Sequence, residues 1–64
     1  MLVTIHTYQS LVEAKLAQGR LESHGITSFV ADEHMGSFYP LGVGGFRLQV
    51  AEIDLEMAQE ILTV

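Results

Sequence analysis

The sequence has no cysteine, so neither disulfides nor thiolate metal sites can support the fold. Basic residues are scarce: three Lys and Arg stand against eight Asp and Glu, for a formal net charge of -5. A chain of that sign is repelled by phosphate backbones and anionic lipid, which argues against nucleic acid and membrane as its main partners. No apolar stretch is long enough to span a bilayer. The opening Met1-Leu2-Val3-Thr4-Ile5-His6 lacks the basic start and long apolar segment of a secretory signal, so the expected location is the cytoplasm. Linkers, repeats and low-complexity tracts are also missing, which leaves residues 1–64 as a single domain.

What is present is apolar. Leu, Ile, Val and Phe make up 21 of the 64 residues, too many for a disordered chain. Below about 70 residues one core rarely supplies more than ~3–5 kcal/mol, so self-association as a dimer or trimer is the expected extra support.

Leu2 to Tyr8 is rich in β-branched and aromatic residues, and its alternation places Val3 and Ile5 opposite Thr4, His6 and Tyr8: a first strand. Ser10-Leu11-Val12-Glu13 has the spacing of a capping box, in which the Ser hydroxyl and the Glu carboxylate satisfy each other's backbone amides. A helix is expected from Leu11 to near His24, closed by Gly25 in the left-handed conformation with Ile26 folded back on Leu21. Its apolar positions form two stripes, Ala14, Ala17 and Leu21 in one and Val12 and Leu16 in the other. So wide an arc predicts two neighbours, the sheet and either the second helix or another subunit approaching at Gly19. His24, in the last turn, suits the helix dipole and has a structural role.

Ile26 to Ala31 reads as a second strand and Phe46 to Val50 as a third, paired as a hairpin. After Val50 the acidic run Glu52, Asp54 and Glu56 favours a helix start, with Ile53, Met57, Ala58, Ile61 and Leu62 on one broad face. The order strand, helix, strand, strand, helix predicts an α+β two-layer domain. Its sheet should be antiparallel in the order 1-3-2, a ferredoxin-like unit lacking the fourth strand. The edge of the first strand is then open to pairing with another chain.

Thr7-Tyr8, Val12-Glu13-Ala14, Leu16-Ala17, Arg20-Leu21-Glu22, Gly25-Ile26 and Ala31-Asp32-Glu33-His34 resemble the small bacterial family labelled "putative prokaryotic signal transducing protein". Gly44-Gly45, Arg47-Leu48-Gln49-Val50, Asp54, Ala58 and Glu60-Ile61-Leu62 continue the pattern, so the resemblance covers nearly the whole chain through core and turn residues. It implies a ferredoxin-like fold similar to the PII signal-transduction proteins, whose long loop between the second and third strands contacts partners. Members often have Pro where Ala51 stands, so the entry to the second helix is expected to be less rigidly defined here. Nucleotide binding does not carry across, because the basic residues number only Lys15, Arg20 and Arg47.

The loop from Asp32 to Gly44 is thirteen residues long and holds Pro40 with three of the six glycines, far beyond a tight hairpin turn. Met35, Phe38, Tyr39, Leu41 and Val43 make it unusually apolar. They either fold back to complete the core or form a docking patch for a protein partner, with Phe38 and Tyr39 as anchors beside Met35 and Leu41. Gly42-Val43-Gly44-Gly45 lacks the Lys-Ser or Lys-Thr pair of a phosphate loop and leads into a strand. Together with Gly36, these glycines are expected as hinges or as a sharp return into the third strand.

Asp32, Glu33 and His34, with His6 at the same end of the sheet, offer two carboxylates and two imidazoles, ligands that a divalent metal accepts. Against a metal site, the third strand lies between His6 and His34, and adjacent residues in extended backbone face opposite ways. The simpler reading is a loop cap at Asp32, a solvated Glu33 and a hydrogen-bonded His34. No cofactor is expected. For catalysis, Ser10, Ser23, Ser28 and Ser37 have no nucleophile-elbow context, and the Asp32-Glu33 pair has little room for a pocket. The chain therefore reads as a regulatory or protein-interaction module, not an enzyme, docking through residues 32–44. The alternative is a metal or small-ligand sensor built on Asp32, Glu33 and His34.

Overall fold

A computed structural model describes residues 1–32 and 45–63. Strand β1 (Leu2–Tyr8) leads to helix α1 (Leu11–Ser23), strands β2 (Ser28–Asp32) and β3 (Phe46–Ala51), a short 3-10 turn (Glu52–Asp54) and helix α2 (Leu55–Leu62). β3 lies between β1 and β2 and is antiparallel to both, so the sheet order is 1-3-2 in an α+β domain. Among the described residues no helix is long and apolar enough to cross a membrane.

Local chemistry sets both ends of α1. The Ser10 hydroxyl accepts from the amides of Val12 at 3.1 Å and Glu13 at 3.5 Å. Among the described residues Glu13 returns no bond to the Ser10 amide, so half of the expected box forms, with two orphan donors met by the Ser10 hydroxyl. At the other end Gly25 has φ 78°, and its amide bonds the Glu22 carbonyl while the Ile26 amide bonds that of Leu21, each at 2.9 Å. This is a Schellman closure, and the buried Ile26 side chain meets Leu21 in the core. Ile26 thus belongs to the helix stop, and β2 begins two residues later than the apolar run suggests. The His24 Nδ1 lies 2.9 Å from the Arg20 carbonyl; since a carbonyl only accepts, that nitrogen carries the proton and the ring caps the helix end.

The register in β1 slips between Thr4 and His6, where Thr4 pairs with Gln49 but His6 with Leu48. The extra residue reverses the alternation. Val3 and Ile5 face the helices as expected, but Tyr8 also turns to that side and packs on the core instead of lying opposite them. A strand edge carrying such a bulge is a poorer template for another chain.

The core joins Ala17 and Leu21 of α1, Ile26, Leu48 and Val50 of β3, and Ala58 and Leu62 of α2. Both helices therefore cover one face of the sheet. Gln18 ties α1 to β2 by donating to the Ser28 carbonyl at 2.9 Å. The opposite face carries Thr4, Gln49 and Phe29, the last 49% exposed.

The second helix departs from the expected face. The 3-10 turn shifts its phase, so Ala58 and Leu62 are buried and Leu55 and Ile61 pack beside them, while Ile53 is 90% and Met57 56% exposed. Val12 and Leu16 of α1 likewise stay exposed, and a Cβ at Gly19 would meet nothing within 4 Å among the described residues. Ala51 adopts φ -63° and ψ 142°, the conformation proline would impose, so entry to the turn is defined without that residue.

Candidate functional site

Two regions of the sequence bear on function. One is the connection between β2 and β3. Strand pairing continues to its mouth, where Asp32 lies opposite Phe46, and Phe46 in turn lies opposite Tyr8. The C-terminal ends of β1 and β2 are therefore level, with β3 between them. His6 and Asp32 stand on opposite sides of that strand, with two interstrand spacings, roughly 10 Å, across the sheet. Glu33, His34, Met35, Gly36, Phe38, Tyr39, Leu41, Gly42, Val43 and Gly44 lie outside the described residues. Among the described residues no three His, Cys, Asp or Glu side chains are grouped as metal ligands.

Gly45, at the return into β3, is buried. A Cβ there would stand 2.8 Å from the Thr7 Cγ2 and 2.9 Å from the Tyr8 carbonyl oxygen, so glycine permits the close approach of the returning chain to β1.

The other region is an open groove of about 430 Å³ between β1, α1 and the end of α2. Its β1 wall is His6 and Tyr8, brought to the helix side by the bulge, with ring centroids 4.6 Å apart at 64°. Its α1 wall is Glu13, Leu16, Ala17 and Arg20, and Leu62 closes the third side. Positions i, i+3, i+4 and i+7 line one face of a helix, which is why these four share the wall. The Arg20 Nη2 donates a long 3.4 Å bond to the Ile61 carbonyl and so leans against α2. Burial, and secondarily the Glu13 carboxylate, push the Tyr8 phenol above its ordinary value, with the Arg20 guanidinium partly offsetting them. The phenol is a neutral hydroxyl at physiological pH, able to donate and to accept.

Of the candidate site residues named from the sequence, His6 is the one that lines this groove among the described residues. Glu13, Arg20 and Tyr8 were read there as cap partner, family residue and strand residue. The i, i+7 spacing of Glu13 and Arg20 beside the core stripe was the available signal, but the facing of Tyr8 depended on the bulge.

Over residues 2–64 the chain matches the family described as "Putative prokaryotic signal transducing protein", and it belongs to that family. No curated protein and no solved structure matches it.

Proposed function

We propose that this member of the signal-transducing family is a non-catalytic interaction module that docks a protein partner through residues 32–44. The observation that carries the reading is the pairing of Asp32 with Phe46 across the mouth of the connection. The two ends of the connection are thereby fixed side by side in the sheet, and Met35, Phe38, Tyr39 and Leu41 lie between them in the sequence. Aromatic residues dominate the energetics of protein interfaces, and a connection of this length and apolar composition suits a docking element better than a linker. The family's description as signal transducing supports a regulatory role.

The test uses the purified protein and its Phe38→Ser/Tyr39→Ser variant, both immobilised and exposed to lysate of the source cells, with bound proteins quantified by mass spectrometry. A partner retained by the parent and lost by the variant, with unchanged far-UV circular dichroism, is the expected result. Equal retention by both proteins would remove the segment from the docking surface. Light scattering on the same pair reads self-association: a dimer or trimer that becomes monomeric in the variant makes a second copy the partner.

A further inference from the structure

We propose that the groove between β1, α1 and α2 binds a small zwitterion with an apolar body, of about the size of a dipeptide. This goes beyond the docking role above and uses none of residues 32–44. Glu13 and Arg20 sit seven residues apart on the same face of α1, so their backbones are separated by roughly 10 Å along the axis. Neither is ion-paired to the other among the described residues, although both line one cleft. Opposite charges in one groove reject a simple anion at Glu13 and a simple cation at Arg20. A ligand that carries both charges satisfies both.

The space between the charges is suited to an apolar body. Leu16, Ala17 and Leu62 line it, and Leu16 is 66% exposed, so a bound hydrocarbon group would remove that side chain from water. Helical side chains lean toward the helix N-terminus, Glu13 as well as Arg20, and the Arg20 side chain is the longer of the two, so the charges lie closer together than the backbones. An extended dipeptide separates its charged ends by about 7 Å. A free amino acid, whose two charges share one carbon, does not. The volume of about 430 Å³ is within the range of small-molecule sites. The contact of Arg20 with the Ile61 carbonyl holds the guanidinium beside α2 and leaves other N–H donors for a carboxylate. Tyr8 adds a hydroxyl on the opposite wall.

The probe is Leu-Leu, titrated into the full 15N-labelled chain and followed by the backbone amides of His6, Tyr8, Ala17 and Leu62. Saturable shifts centred on these residues are expected. N-acetyl-Leu-Leu, which lacks the ammonium, and Leu-Leu amide, which lacks the carboxylate, should each bind about tenfold more weakly or worse. Arg20→Gln should weaken Leu-Leu but make the amide and the free acid bind alike, and Glu13→Gln should do the same for the acetylated peptide. Both residues are exposed, so the variants retain the fold, checked by their amide spectra. Three results would each overturn the proposal: no saturable shift up to about 10 mM, shifts centred elsewhere, or blocked peptides that bind the parent as well as Leu-Leu does.

Discussion

Gly45 abuts Tyr8 so closely that a Cβ added to it would lie 2.9 Å from the Tyr8 carbonyl oxygen. The second obstacle, the Thr7 Cγ2 at 2.8 Å, can rotate, but the carbonyl is backbone in a paired strand and cannot retreat without disturbing the Tyr8–Phe46 register. The same contact joins the return of the long connection to the β1 wall of the groove.

Gly45→Ala is therefore expected to destabilise the domain by about 1–3 kcal/mol, the usual range for overpacking. In a chain of this size, 1 kcal/mol corresponds to a fall in Tm of about 4–8 °C. Thermal unfolding followed by circular dichroism measures it, and an unchanged Tm would show that the sheet yields at this position.

Gly25→Ala tests a different cost, since among the described residues nothing lies within 4 Å of a Cβ there but the backbone is held at φ 78°. A side chain in the left-handed region costs about 1–2 kcal/mol. Urea unfolding should show the midpoint lowered with an unchanged slope, because the closing bonds to Leu21 and Glu22 remain available.

Ser28→Ala should have the opposite sign. The Ser28 Oγ is buried with no hydrogen-bond partner among the described residues. Removing an unsatisfied hydroxyl relieves a desolvation cost, so a gain of up to about 1 kcal/mol is expected by the same urea measurement. A loss would mean that the hydroxyl has a partner in solution.

Tyr8 makes stability depend on alkaline pH. Its folded value is raised, first by burial and then by Glu13, so the folded chain holds the phenolic proton more tightly than the unfolded chain. The associated stability is complete below pH 10.0 and declines as pH rises through the folded value. In a Tyr39→Phe background, where Tyr8 is the remaining tyrosine, tyrosinate absorbance should emerge above pH 10.0. Glu13→Gln should move the transition down and Arg20→Gln should move it up. Identical titrations in the three proteins would remove both charges from the neighbourhood of the phenol.

The parts of this molecule that sequence reading placed well are those governed by neighbours along the chain. Ser10 caps α1, Gly25 closes it and Ile26 folds onto Leu21 because each contact spans only a few residues. The β1-β3-β2 order was likewise legible, since one right-handed crossover and one hairpin leave little choice of topology. The groove was not, because Tyr8 reaches it through a slip in pairing between Thr4 and His6, and period-two alternation carries no sign of a bulge. The second helix was misphased for a related reason. The 3-10 turn Glu52–Asp54 stands between β3 and α2, with the Glu52 amide bonded to the Met1 carbonyl at 2.9 Å, and the spacing of apolar residues does not reveal such a turn.

By itself the sequence determined the α+β order, both ends of the first helix, the long apolar connection and the family. Short-range hydrogen bonds and the spacing of apolar side chains are written locally. Only the tertiary structure decided which sides of β1 and α2 are covered, that Gly45 is held against Tyr8, and that Glu13, Arg20, His6 and Tyr8 line one cleft. Those outcomes depend on strand register, and register is settled between segments that are far apart in the chain.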